Sequence, residues 1–437
     1  MIQSLQQFAR YEAYQDSGVE WLGDIPQGWQ LLPNKSIFRL KKNLVGKRSA
    51  EYVLLSLTLK GLIKRDMENP EGKFPAEFDT YQEVKKGDFV FCLFDVEETP
   101  RTVGLSAFDG MITGAYTVFQ PLIGYDSKFL YYFYLNLDSK KRLRPLYKGL
   151  RNTIPKDSFM SFKTPVPPLI EQTTIANFLD QKTAEIDQAI ALKTDLIERL
   201  KEYKQITIQH AVTRGLDPNA KMKASGVEWI GDIPEGWEIT KVKFVTSKIG
   251  SGVTPSGGGT IYLETGIPLL RSQNVHFGKV DLDGVAYISE AMHQNMKNSI
   301  VLKNDVLLNI TGGSIGRCHY SNFDFEMNVN QHVCIVRANA KINYLFLNLF
   351  LKSESGQGQI WQNQQGGGRE GLNFAALKNF AIHLPPLAEQ AAIVAHIETI
   401  SAKIDQATDQ AQQQINTLTE YKTVLINAAV TGKIKVT

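Results

Sequence analysis

Cysteine is scarce in this sequence. Cys92, Cys318 and Cys334 are the three in 437 residues, and neither disulfide-framework nor metal-ligand spacing relates them. That excludes a disulfide-stapled scaffold and points to a reduced, cytoplasmic setting. Apolar runs are short: none approaches the ~20 residues of a membrane span, and residues 1–16 are polar and mixed in charge, unlike a signal peptide. No membrane role is expected. The seven histidines form no metal-ligand pattern. Thr311-Gly-Gly-Ser-Ile-Gly316-Arg317 resembles a phosphate cradle but lacks the Gly-Lys-Ser/Thr ending, and Ser256-Gly-Gly-Gly259 reads as a flexible turn. A nucleophilic serine elbow, a glycine-rich cofactor fingerprint and an Asn/Asp-Pro-Pro-aromatic amino-methyltransferase signature are all missing. No catalytic, cofactor or metal residue is therefore assigned, and a non-catalytic protein is expected.

Net charge is small as well, +3 at neutral pH. The sum conceals clumping, which matters more to a polyanion than the total does. Residues 35–48 hold Lys35, Arg39, Lys41, Lys42, Lys47 and Arg48 without an acid, and residues 140–156 hold Lys140, Lys141, Arg142, Arg144, Lys148, Arg151 and Lys156, again without one. Such runs usually form a solvated face. Two of them flanking one region also suit phosphate contact.

What the chain has in abundance is repetition. Pro167-Pro168-Leu169-Ile170-Glu171-Gln172 returns as Pro385-Pro386-Leu387-Ala388-Glu389-Gln390, and the correspondence continues through Ile186-Asp187-Gln188-Ala189 and Ile404-Asp405-Gln406-Ala407 to Ala211-Val212-Thr213 and Ala429-Val430-Thr431. Both stretches read as long helices, with prolines where a missing N–H costs nothing and glutamate in the first turn. In the second, Ile393, Ile397, Ile400, Ile404, Ala407, Ala411, Leu418, Tyr421 and Leu425 follow alternating steps of four and three, broken only by Gln414. In the first, Ile175, Leu179, Ile186, Ala189, Leu196, Leu200 and Tyr203 take the equivalent places, interrupted by Lys182 and Lys193. One stripe cannot bury itself, so the helices are expected to pair antiparallel within the chain as a rod of ~64 Å, a coiled coil to another chain being the competitor.

A second repeat precedes each globular region. Ser17-Gly-Val-Glu-Trp21-Leu-Gly-Asp24-Ile-Pro26-Gln-Gly-Trp29 recurs as Ser225-Gly-Val-Glu-Trp229-Ile-Gly-Asp232-Ile-Pro234-Glu-Gly-Trp237, where turn chemistry suggests tryptophans locked into a corner rather than stacking on a ligand. The layout is thus 1–166, segment and β-rich region; 167–213, long helix; 214–384, segment and second β-rich region; 385–437, long helix and tail. Strands are expected at 52–57, 88–93, 116–119, 268–270, 305–310 and 332–336, and helices at 128–137 and 342–352. The two regions share a skeleton (Val84-Lys-Lys86-Gly-Asp88 with Val301-Leu-Lys303-Asn-Asp305, Met111 with Met327, Gly149-Leu-Arg151 with Gly367-Gly-Arg369) but little else. If the end after Thr431 lies beside the N-terminus, the repeat closes into a ring with a pseudo-two-fold axis.

Paired Ser-Gly-Val-Glu-Trp-(Leu/Ile)-Gly-Asp-Ile-Pro segments, paired Pro-Pro-Leu-X-Glu-Gln helices and two dissimilar globular regions resemble the specificity subunit of type I restriction-modification systems, over essentially the whole chain. The resemblance implies an α+β fold: two globular β-rich target recognition domains, each reading half of a split, asymmetric site on double-stranded DNA, separated by two long antiparallel coiled-coil helices. It implies two modification (methyltransferase) subunits docked on the repeated segments, and restriction subunits beside them. S-adenosylmethionine and ATP would belong to those partners, with no cofactor on this chain. By position, Arg151 and Arg369 are the paired loop arginines for DNA, with Lys47, Arg48, Lys148, Arg271, Gln273, Asn274 and Gln365 as further candidates: arginine suits guanine and glutamine or asparagine suits adenine. Leu179, Ile186, Leu196, Leu200, Ile397, Ile404, Leu418 and Leu425 mark the helix seam. A coiled-coil scaffold with two protein-binding domains and a stand-alone DNA-modifying enzyme are the alternatives.

Overall fold

The computed structural model describes residues 7–66, 78–149, 152–227, 230–253, 262–365 and 371–436. Arg151, Trp229, residues 256–259 and residues 366–370, Arg369 among them, lie outside these. The chain divides into two units, Met1–Thr194 with Gln412–Thr437, and Asp195–Ala411.

The first unit is built on an antiparallel sheet of β1 (Phe38–Lys41), β2 (Phe89–Phe91), β3 (Val103–Leu105) and β4 (Thr117–Pro121), in the order β1-β4-β2-β3. Aromatic and β-branched residues favour these strands, and one face carries Phe38, Phe89, Phe91 and Phe119 into a core with Tyr134 and Phe159, the Phe91 and Phe159 rings 4.8 Å apart. Helix α1 (Ser127–Ser139) starts where the Asp126 carboxylate accepts from Lys128 N and Phe129 N. It buries Phe129, Leu130, Phe133 and Leu137 against the sheet and the first long helix, α2 (Leu169–Arg214).

The second unit repeats the sheet: β5 (Thr246–Ser251), β6 (Val306–Asn309), β7 (Cys318–Tyr320) and β8 (Val333–Ala338) run β5-β8-β6-β7, the same order and all antiparallel. Helix α3 (Tyr344–Lys352), capped by Asn343, takes the place of α1, and α4 (Leu387–Val430) that of α2. The shared Asp88 and Asp305 now have a reason. Each accepts the amide of the residue three before it, at 2.7 Å, and closes the turn into β2 or β6. The turn needs a left-handed residue, Gly87 in one unit (φ +91°) and Asn304 in the other (φ +70°). Each carboxylate is then neutralised from another strand of its sheet, by Lys41 of β1 or by a bidentate Arg337 of β8.

Central strands and helices fall where the hydrophobic pattern puts them: 88–93 becomes Phe89–Phe91, 305–310 becomes Val306–Asn309, and 128–137 becomes α1. The stretch 52–57 is displaced, its strand being Leu55–Thr58. The unexpected strands β1, β3, β5 and β7 are the edges of the two sheets and partly polar, so composition does not mark them.

The two long helices pair antiparallel: in the first unit Asp187 meets Lys422 at 2.6 Å and Lys193 reaches Gln414, and in the second Lys204 meets Asp405 at 2.8 Å. Leu179, Ile186, Ile397, Ile404 and Leu425 are buried; Leu200 and Leu418 are half-buried. Leu196 departs from the expectation. It is 45% exposed, while Ile197 beside it is buried. In α2 the inward residues run Ile175, Leu179, Thr183, Ile186, Ile190, Lys193, Ile197, Leu200, Lys204 and Ile208, or nine steps in 33 residues. That is close to the 3.6 of a straight helix, and a strict heptad count drifts off the buried face by about one residue over this length. Lys193 and Lys204 sit in the seam because their stems lie against it while their ammonium groups reach across to polar partners.

Both Pro-Pro-Leu-X-Glu-Gln motifs make the same ties. Glu171 accepts from Trp29 Nε1 at 3.1 Å and Glu389 from Trp237 Nε1 at 3.0 Å. Gln172 accepts from Asp126 N and Gln390 from Asn343 N, so each glutamine holds the cap of its unit's own helix. Helix, tryptophan corner and globular sheet are thereby fastened at one point. The ends also close as expected in the first unit: Lys435 N donates to Ala9 O at 2.7 Å.

Two expectations follow. Glu171→Ala leaves the buried indole N–H of Trp29 and the Tyr11 hydroxyl without their acceptor and is expected to cost about 2 kcal/mol, with Glu171→Gln costing less than half of that; a urea midpoint unchanged by both would remove the tie from this account. His293 in the second unit lies 2.6 Å from Asn328 Oδ1 and 3.0 Å from Glu326 Oε2. Two acceptors hold the doubly protonated ring, and its pKa is raised, chiefly by the Asn328 hydrogen bond. The stabilisation is complete below the unfolded histidine pKa and is lost as pH rises through the raised folded value. The second unit should thus resist urea better at pH 5.5 than at pH 8.5, and His293→Gln should flatten that difference.

Candidate nucleic-acid interface

The antiparallel register places the C-terminal ends of β1 and β2 and the N-terminal ends of β3 and β4 at one end of the first sheet. The loops leaving this end are the ones that differ between units. Residues 148–153 make a hairpin neck there, Lys148 bridging Thr153 and Thr153 bridging Phe94 just beyond β2. Leu150 and Arg151 lie outside the described residues. Lys47 and Arg48 follow β1 on the same side: Val45 N donates to Tyr81 O, and Gln82 Nε2 reaches Tyr116 O at the start of β4. Tyr116 stacks on Phe94 with centroids 6.2 Å apart. The structure therefore brings Lys47, Arg48 and Lys148, all exposed, to one end of one sheet.

The basic runs are only partly available there. Lys41 is spent on Asp88, Lys141 on Asp138 and Arg144 on Glu97, while Arg142 lies 4.6 Å over the Trp21 ring. Lys35, Arg39, Lys42, Lys140 and Lys156 are exposed and make no ion pair among the described residues.

The second unit carries the same neck at the same end. Gln365 pairs through its backbone with Gly371, and Gly371 bridges Thr311 just beyond β6; Arg369 lies outside the described residues. Around it gather the loops at 271–275, 311–317 and 330–332: Asn330 N donates to Leu270 O, Ile310 N to His332 O, and Asn309 Nδ2 to Ser272 O at 2.8 Å. Gln273 is exposed on this surface. Arg271 is half-buried, 5.7 Å over the Tyr262 ring, with one donor on Gly284 O. Asn274 is a correction. It is 1% exposed and its amide is consumed, Oδ1 by Arg271 N and Nδ2 by Asp281 O, so it builds the loop rather than presenting an edge.

Three residues here escaped the sequence pattern. Gln331 is exposed, and His332 links it (3.1 Å) to Thr311 (2.6 Å), so three polar side chains stand together beside the neck. Trp361 is 62% exposed at the end of the helix Glu354–Gln362 that leads into the neck. Its buried neighbour Ile360 is the only signal that Trp361 faces outward. The 311–317 loop, with Gly312 and Gly316 both at positive φ, lies on this surface.

Among the described residues no group of acidic, histidine or cysteine side chains could hold a metal, and no helix is long and apolar enough to cross a membrane. A family model described as the type I restriction modification DNA specificity domain matches residues 109–202 and again 234–417, together more than half of the chain. The chain belongs to this family. Among relatives, the EcoBI specificity subunit of Escherichia coli is 29% identical over 310 residues, covering 68% of this chain and 64% of that subunit, so the match spans just under two thirds of the relative. The MjaVIII specificity subunit of Methanocaldococcus jannaschii is 28% identical over 313 residues, 70% of each chain. The HsdS subunit of Thermoanaerobacter tengcongensis shares the fold with a TM-score of 0.56 at 15% identity, over 94% of this chain and 98% of that one. A chain from a structural study of type I R-M complex assembly and conformational transition reaches 0.68 at 14% identity, over 93% and 98%. For this member of the specificity family, the duplicated sheet end with its hairpin neck is where two different surfaces are displayed on one frame.

Asn274→Ala should destabilise the second unit by about 1–3 kcal/mol, since Arg271 N and Asp281 O lose their buried partner, whereas Gln273→Ala should leave stability within about 0.5 kcal/mol. Equal urea midpoints for the two variants would contradict the structural role given to Asn274.

Proposed function

We propose that this chain is the DNA-reading subunit of a type I restriction-modification complex, in which each unit reads one half of a split, asymmetric target through the loops at the neck-bearing end of its sheet. The observation that carries this is the pairing of identical frames with unlike loops. Both sheets have one strand order and one neck position, yet one end offers Lys47, Arg48 and Lys148 and the other Gln273, Gln331, His332 and Trp361. Cations anchor phosphates, amides read adenine edges and an exposed indole can stack. Arg151 and Arg369, matched by sequence position, remain the paired arginines of this reading.

In the same proposal the paired helices fix the interval between half-sites. The repeated tryptophan corners and helix starts dock two modification subunits, which supply S-adenosylmethionine and adenine methylation, and restriction subunits add ATP-driven cleavage. This chain contributes no chemistry of its own and works in the cytoplasm, where the DNA is. Duplicated docking parts suit duplicated partners.

Single-molecule sequencing of DNA from cells carrying the chain with its modification subunit should show a split, asymmetric methyladenine motif that vanishes with the gene. Gln331→Ala with His332→Ala should relax one half of that motif and leave the other intact, as should Arg369→Ala. Relaxation of both halves together, or an unchanged methylome when the gene is deleted, would overturn the reading.

A further inference from the structure

The second unit holds a cavity of roughly 840 Å³ between α3, strand β7 and the stretches of α2 and α4 that belong to that unit. Its walls are mostly apolar, with Leu345, Leu349 and Ile397 among them. Volume and lining fall in the range of small-molecule sites, where a few polar groups on an apolar wall fix the ligand.

The first unit shows what is missing. Counting from the matched caps Asp126 and Asn343, Leu345 and Leu349 stand where the first unit has Lys128 and Tyr132. There Tyr132 donates to Asp180 Oδ1 at 2.8 Å and lies 3.2 Å from the Thr183 hydroxyl, while Lys128 pairs with Asp180, so α1 is closed onto the long helix. In the second unit the matching long-helix residues, Glu398 and Ser401, line the cavity instead. The replacement of a tyrosine and a lysine by two leucines opens the space.

One charged group in it has no counter-charge. Lys352 lines the same wall with its Nζ 3.2 Å from His319 Nδ1 and no carboxylate paired to it among the described residues. Burial holds the Lys352 pKa below its ordinary value and pushes His319 down to about 4, so the imidazole is a neutral acceptor for the lysine. The other lysine at the cavity, Lys204, is already satisfied by Asp405. Glu354, Glu398 and Asp405 also line the cavity, but none of them pairs with Lys352, and an ammonium left unpaired beside apolar side chains is a place where an anion gains both a charge partner and a dry surface.

We propose that this cavity binds a small amphipathic anion: an apolar body against Leu345, Leu349 and Ile397, and its carboxylate or sulfonate on Lys352.

Two dyes test it on the full chain, anilinonaphthalene sulfonate and its uncharged analogue phenylnaphthylamine. Both should bind at one site per chain. Lys352→Met, which keeps the stem, should weaken the sulfonate dye at least tenfold and leave the neutral dye within twofold; Lys352→Arg should retain the sulfonate dye. Leu349→Tyr, which restores the first unit's residue, should abolish both. Equal weakening of the two dyes by Lys352→Met, loss with Lys352→Arg as well, or sulfonate affinity unmoved by Leu349→Tyr would each overturn the proposal. So would a Leu349→Tyr chain that binds dye normally but no longer assembles with modification subunits, because the surface would then be a protein interface.

Discussion

Everything in the fold depends on a carboxylate accepting one indole hydrogen. Glu171 and Glu389 sit in the first turn of the long helices, where the helix dipole already favours a negative charge, and each takes the N–H of a buried tryptophan 142 or 152 residues earlier in the chain. The next residue, a glutamine, accepts from the backbone at the cap of the helix that backs the sheet. Two consecutive side chains thus fasten the three parts that each unit comprises. An Arg, Lys or apolar residue at either place would leave a buried donor unmatched, so the Glu-Gln pair is a packing requirement before it is anything else.

A frame held so firmly can tolerate change elsewhere. The turn aspartates Asp88 and Asp305 are locked by the same backbone contact yet neutralised by different cations from different strands, Lys41 and Arg337. Backbone geometry is kept while the chemistry around it shifts. The same tolerance accounts for the loops at the neck-bearing ends, which carry no part of the Glu-Gln fastening.

Much of this was legible because repetition supplies its own control. Segments kept in both halves, such as the tryptophan corner and the helix start, are the ones the structure uses to hold each unit together. The central strands 88–93 and 305–310 were visible as dense apolar runs; β1 was hidden because its exposed Arg39 and its Lys41, paired to Asp88, read as part of a basic run. The seam was right near Ile186 and wrong at Leu196, since a helix turning every 3.6 residues slips past a seven-residue ruler. Asn274 looked like a base reader because residue type alone does not reveal a saturated amide, and Gln331, His332 and Trp361 were invisible because loops converge by register rather than by spacing.

The cross-helix ion pairs have a further meaning. Asp187 with Lys422 and Lys204 with Asp405 are one contact written twice, because residues 187 and 204 correspond to 405 and 422 at the repeat's constant offset of 218. Each long helix therefore carries both the acid and the base, and is complementary to its own copy as much as to its neighbour. Charge matching does not discriminate between pairing within a chain and exchange between two chains. That choice rests on the tether, which holds the partner helix at an effective concentration on the order of millimolar, far above what a second molecule reaches in a dilute solution.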